Sequence, residues 1–346
     1  MESDNPSTGE ASCTGRYIYE TPWPCYAVAW SARPEPRVRA AVGSCIEGDT
    51  NKIQIVELSG ETLTKTAEVE HVFPATKLMW RPCEPSPAAS ELLASSGTAL
   101  NIWRVEDRQL KLVSSLANIK RTQEGQSELV PPLTSFDWSA NNPHKAGTSS
   151  VDTTCTIWNL ERQRIESQLI AHDKAVYDIA FGPQGDNLFA SVGADGSVRL
   201  FDQRNLEHST IIYEASPAVP LLRLAWKRAN MHHIATMAMD VPGVIVIDVR
   251  RPSLAFTFLS LHDACVNDIA WSPTRRDHLL CGADDGSAFV LDMKQAASKP
   301  DHVGGDAPMA FYEVGHEVYQ VDWITSQNTA ERVGIGTARH VELLHV

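Results

Sequence analysis

His172, Ser191 and Asp195 are the residue types of a nucleophile–base–acid set, in which an imidazole oriented by a carboxylate takes a proton from a hydroxyl. The same offsets return at His262, Cys281 and Asp285, and His71 holds a matching place with Gly97 where the aspartate would be. Acyl transfer would need the nucleophile on a strained elbow, and no G-x-S-x-G surrounds Ser191. A buried relay of hydrogen bonds needs only that each polar group find a partner, and it fixes the geometry of the sheet that carries it. The set recurs with its members replaced, and the relay accounts for all three residues. The expected role of His172, Ser191, Asp195, His262 and Asp285 is therefore structural, and no catalytic residue is assigned.

A second constellation is basic. Asp202-Gln203-Arg204 and Asp248-Val249-Arg250 fall at equivalent places in consecutive repeats. A guanidinium fork can engage carbonyls or carboxylates bidentately, so Arg204 and Arg250 are candidate docking residues. A solvated Asp–Arg pair on one rim is the plainer alternative. Other patterns fall short. His316-Glu317-Val318-Tyr319-Gln320 is one residue away from a zinc-protease motif and sits in strand context. Gly334-Ile335-Gly336-Thr337 lacks the third glycine and the helix of a nucleotide fingerprint. The seven cysteines show no C-x-x-C spacing, which fits a reducing compartment, and neither metal nor cofactor is expected. A net charge of −13 opposes direct nucleic-acid binding. The N-terminus is polar and no apolar run reaches the roughly 18 residues of a membrane span, so the expected compartment is nucleus and cytoplasm.

The elements that must position these residues repeat seven times. A short apolar strand ends at Trp30, Trp80, Trp138, Phe181, Trp226, Trp271 and Trp323, at steps of 43 to 58 residues. A later strand ends 20 to 26 residues on, at Val56, Trp103, Trp158, Phe201, Ile247, Leu291 and Leu344. That period predicts a single all-β domain over 16–346, a seven-bladed WD-type propeller, with residues 1–15 disordered. Pro24, Pro74, Pro132 and Pro220 stand six residues before an anchor, and Pro82, Pro183 and Pro273 two after. Proline cannot donate to a ladder, so these positions bracket the innermost strand. Asp195-Gly196 predicts a hairpin turn with positive φ at both positions. Insertions at Pro82–Ser90, Val105–Pro131 and Ala296–Pro308 are expected on the surface. The last repeat stops two residues from the end, and Arg16–Glu20 is a spare strand before the first; pairing them closes the ring.

Four residues before the anchors lie Tyr26, Thr76, Thr134, Tyr177, Leu222, Asn267 and Tyr319. Strand alternation turns this set toward the central opening, making Tyr26, Tyr177, Asn267 and Tyr319 candidate partner contacts. A propeller hydrolase would need convergent acids or a metal in that opening, and these register positions supply none.

The segments PLTSFDW (132–138), GTSSVDTTCTIWNLE (147–161), QLIAHDKAVYDIAF (168–181) and FASVGADGSVRLFD (189–202) resemble one family, as do LEHSTIIYE (206–214), PLLRLAW (220–226) and ATMAMD (235–240). It is the plant transparent-testa-glabra, anthocyanin-regulator and light-regulated WD-repeat group, whose animal counterpart is a cullin–RING-ligase-associated WD scaffold. The last blade and Cys45-Ile46-Glu47-Gly48-Asp49 depart from its pattern. The resemblance implies a non-enzymatic scaffold joining MYB and basic helix–loop–helix transcription factors. It also implies two alternatives: a substrate receptor binding the cullin–RING ligase adaptor, with D-x-R as the docking core, or a kinase-binding scaffold.

Overall fold

A computed structural model describes residues 15–345 except 32–37, 83–90, 107, 119, 122–127, 184, 186, 230, 295–307 and 325–331. Within these, seven four-stranded antiparallel sheets follow one another along the chain. The disorder expected of residues 1–15 falls, apart from Gly15, outside the described residues.

Each blade runs from an inner strand outward; blade 4 is Val176–Phe181, Leu188–Gly193, Ser197–Asp202 and Asn205–Glu214. The anchors fix one lateral layer through all seven sheets. Trp30 pairs with Ala40 and Ala40 with Val56, Trp138 with Ala146 and Ala146 with Trp158, and Trp323 with Val333 and Val333 with Leu344. In blade 4 the layer is Phe181, Phe189 and Phe201, the last two stacked at 4.8 Å. The core lies between blades: residues such as Val192, Val198 and Ile212 of blade 4 pack against Leu221, Trp226 and Ile234 of blade 5.

Blade 7 is closed as the sequence predicts. Tyr17–Glu20 is its outer strand, with Tyr17 opposite Leu343 and Glu20 opposite His340. A polar lock sits beneath. Arg16 donates to Oε1 of the buried Glu342 at 2.7 Å, and Nε2 of His340 lies 2.7 Å from the same oxygen. Burial opposes ionisation of Glu342, but the hydrogen bonds from His340 and Arg16 more than offset it and hold its pKa below the usual glutamate value.

Two local expectations change. Positive φ occurs at Gly196 (78°) and not at Asp195, whose carboxylate instead caps the turn by accepting from the Ser197 N–H at 3.0 Å. The Val105–Pro131 insertion contains the outer strand of blade 2, Gln109–Leu116, which buries Leu110 and Leu116 at its two ends.

Candidate functional site

The relay forms within the sheet. His172 accepts or donates at both nitrogens, Nε2 to Ser191 Oγ at 2.8 Å and Nδ1 to Asp195 at 3.0 Å, while Ser197 Oγ stands 3.2 Å from Nδ1. Blade 6 repeats it with His262, Asp285 at 2.9 Å, Ser287 at 3.1 Å and the Cys281 thiol at 3.2 Å. In blade 2 the place of the missing carboxylate is taken by the Phe73 carbonyl, and Ser95 passes the chain on to the Trp103 indole at 2.8 Å. His172 and Ser191 are buried, so this serine meets no substrate. Burial pushes the His262 pKa down although Asp285 works against it, and burial likewise lowers His71.

The two D-x-R sites have one geometry. Asp202 accepts from the Arg204 backbone N–H at 3.0 Å and from its Nε at 2.9 Å; Asp248 does the same for Arg250 at 3.0 and 2.9 Å. The hydrogen bond from each arginine holds its aspartate near pH 2. With side chains 70% and 59% exposed, the two guanidinium groups stand off the rim in fixed orientations. Asp292-Met293-Lys294 continues the series in blade 6, where Asp292 accepts from the Lys294 N–H at 2.9 Å. Extending the anchor alignment by one blade reveals this third site; a search for arginine alone passes over it.

At the opposite, upper rim the structure shifts the register of the sequence argument. Tyr26, Thr134, Tyr177, Leu222, Asn267 and Tyr319 are β-bulge residues, each the extra residue where the inner strand slips against its neighbour. The slip moves the channel-facing set one place along the chain, because adding one residue turns the following side chains over. Tyr26 remains exposed, whereas Tyr177 and Tyr319 are half-buried. The hydroxyl of Tyr319 donates to Glu317 at 2.6 Å, a bond that pushes its pKa up to about 12. Asn267 is committed internally: its amide donates to Asp284 at 2.5 Å and to the Val318 carbonyl of the next blade at 2.9 Å. Thr76 and Thr134 make the same bridge to the Leu133 and Val176 carbonyls, so Asn267 acts first as a blade-to-blade tie.

The channel is thus lined by Lys77, Asp178, Arg223, Asp268 and Gln320, with Asp137 and Asp322 below, around a volume of about 560 Å³. The expectation that the opening lacks convergent acids is corrected. These carboxylates nevertheless serve the ring. Asp178 accepts from the Leu224 N–H of blade 5 at 2.9 Å, Asp137 from Phe181 of blade 4 at 2.7 Å, and Asp268 from Val321 of blade 7 at 3.0 Å. Among the described residues no group of three or more His, Cys, Asp or Glu is arranged to hold a metal ion. Burial pushes Asp268 up to about 6 and Asp322 to about 7.

A carboxyl raised above its unfolded pKa of about 4 binds its proton more tightly in the folded state. These two groups therefore lower stability as pH rises from about 4 to 7, and the penalty is complete above that. Histidines held neutral, including His71 and His262, act in the opposite sense. Comparison with a variant isolates the carboxyl contribution. The Asp268→Asn/Asp322→Asn double variant, measured by urea denaturation at pH 5 and pH 8, is expected to gain on the order of 1–2 kcal/mol relative to the parent at the higher pH. An identical pH slope in both proteins would show that these carboxyls are solvated.

Seven blades, buried relays and two rims carrying fixed polar groups define a protein-binding WD-repeat propeller. Comparison with known proteins agrees. The family described as WD domain, G-beta repeat matches residues 163–202 and 254–292. Each match begins at the outer strand of one blade and ends on the third strand of the next. The chain is 42% identical to the DDB1- and CUL4-associated factor 7 homolog of Dictyostelium discoideum, over 95% of this chain and 98% of that protein. It is also 37% identical to an uncharacterised WD repeat-containing protein of Schizosaccharomyces pombe, over 80% and 69% of the two chains. A WD repeat-containing protein of Saccharomyces cerevisiae is 32% identical over 84% and 60%. The chain belongs to the WD-repeat family that includes the DDB1- and CUL4-associated factor 7 homolog. The first of these relatives favours the cullin–RING-associated side of the resemblance, and none of the three supports the plant transparent-testa-glabra side.

Proposed function

We propose that the chain is a non-enzymatic scaffold serving a cullin–RING ubiquitin ligase as substrate receptor, in nucleus and cytoplasm. One observation carries the reading: Arg204 and Arg250 project from adjacent blades of one rim in the same aspartate-braced geometry. Bracing removes much of the rotamer freedom that docking would otherwise have to freeze, which favours their use as contacts. The name of the Dictyostelium relative places that protein with DDB1 and CUL4, and this supports the same adaptor here. A partner held at the upper rim would then share one ring with the ligase and meet it at high effective concentration. The Arg204→Glu/Arg250→Glu variant is expected to lose at least tenfold in affinity for purified DDB1 while keeping its melting temperature. Undiminished binding would remove the docking role.

The exposed Tyr26, with the half-buried Tyr177 and Tyr319 at equivalent places on other blades, favours a second partner surface at the upper mouth. Kinases, which the animal side of the resemblance implies, or transcription factors of the MYB and basic helix–loop–helix classes, which its plant side implies, would belong there. Nothing in the names of the relatives speaks for the transcription factors, so the ligase reading stands first.

A further inference from the structure

An outer strand of a propeller blade is a sheet edge with unpaired N–H and C=O groups, and proteins guard such edges with charges. The outer strands follow this rule with one exception among the described residues. Blade 1 carries Lys65, Glu68 and Glu70; blade 2 Lys111; blade 3 Arg164 and Glu166; blade 4 Glu207 and Glu214; blade 6 Glu313; and blade 7 Glu20. The outer strand of blade 5, Ala255-Phe256-Thr257-Phe258-Leu259, carries none, and the uncharged run extends from Pro252 to Leu261.

Its aromatic side chains are also presented rather than hidden. Leu254, Phe256 and Phe258 are 68%, 40% and 43% exposed. Phe256 leans on the His233 ring at 5.1 Å, and Gly243 leaves no room for a Cβ beneath Phe258. One side of each ring is thereby seated while the rest faces outward. The loop before the strand is pinned, because the Ser253 N–H donates to the Ile212 carbonyl of blade 4 at 2.8 Å. The residues next to this contact in sequence, Leu254 of blade 5 and Ile211 of blade 4, are both exposed apolar side chains. At the strand's lower end Arg250 is paired with Asp248, and the exposed Arg251 beyond it supplies a positive charge.

We propose that the outer edge of blade 5 is a docking strand for an extended partner segment that pairs with Ala255–Leu259 as a fifth strand. Its apolar side chains alternate over Phe256 and Phe258, and an acidic flank meets Arg251. Main-chain pairing supplies affinity in this mode, and the side chains facing the rings supply selection. The pairing edge, Ala255–Leu259, includes neither Arg204 nor Arg250, so this inference stands without the ligase reading.

A fluorescein-labelled synthetic peptide, five alternating valines and threonines followed by two aspartates, which antiparallel pairing sets beside Arg251, is the probe for anisotropy titration against the full chain. Saturable binding is expected, weakened at least tenfold in Phe256→Glu/Phe258→Glu and in Thr257→Lys. Arg251→Glu should weaken this peptide but not one with the aspartates replaced by serines. Melting curves establish that each variant is folded, and Thr257→Lys keeps the test open if the double variant is not. Absence of saturable binding, or equal binding to parent and edge variants, overturns the proposal. So does a concentration-dependent dimer that Phe258→Glu abolishes and the peptide fails to displace, since that assigns the edge to a second copy of the chain.

Discussion

Removing residues 1–20 lowers the melting temperature by roughly 5 °C and makes the protein aggregate, as read by thermal denaturation and light scattering. The magnitude follows from what the strand covers. Without it Glu342, 1% exposed, loses Arg16 and is left a buried carboxylate beside His340 alone. Glu342 is buried but Arg16 is 42% exposed, so losing the pair is screened to about 2 kcal/mol. With the apolar contacts of the lost strand the total is about 3–5 kcal/mol, or roughly 4–7 °C for a chain of this size. The third strand of blade 7, His340–His345, becomes a bare edge with Val341 and Leu343 flanking it. A milder variant separates the two contributions: Arg16→Ala keeps the strand and should show a loss without aggregation. A truncated protein that melts with the parent would mean that blade 7 is stable with three strands.

The second large effect lies at the centre of the ring. Asp178→Ala is expected to lower unfolding free energy by about 3–5 kcal/mol in urea titration, because one buried carboxylate serves four strands. Its Oδ1 accepts from Ser135 Oγ at 2.5 Å, Lys77 Nζ at 3.3 Å and its neighbour Ile179 N–H at 2.9 Å, while Oδ2 takes the Leu224 N–H. Blades 2, 3, 4 and 5 therefore meet at a single side chain. Asp178→Asn retains acceptor oxygen but not the charge facing Lys77, and a smaller loss is expected. If alanine there lowers stability by less than 1 kcal/mol, water substitutes for the carboxylate and the channel is not a structural hub.

Much of this architecture was readable from residue types. The seven anchors sit on one layer because aromatic bulk is needed where three strands and the adjoining blade converge, and such bulk leaves a clear sequence period. The bracketing prolines and the spare strand at Arg16–Glu20 are local rules with few exceptions. The channel was not readable in the same way. A β-bulge adds one residue without any required side chain, so Tyr177 looked channel-facing while Asp178 was passed over. Likewise Asn267 has the composition of a contact residue, and only geometry shows its amide spent on Val318. The relay sits between these cases: its spacing survived substitution of serine by Cys281, but the carbonyl of Phe73 standing in for an aspartate leaves no trace in the sequence.

Ring closure by Tyr17–Glu20 also orders events in time. Tyr17–Glu20 belongs to the seventh blade although it precedes the first in the chain, and the contact between Arg16 and Glu342 spans 326 residues. Blades one to six each pair strands that are near neighbours in sequence, so they can form while the ring is still open, with two unsatisfied faces. Closing the ring therefore carries a loop-closure cost that no single blade carries, and a chain that folds in order of synthesis stays an open arc until Tyr17–Glu20 reaches His340–His345.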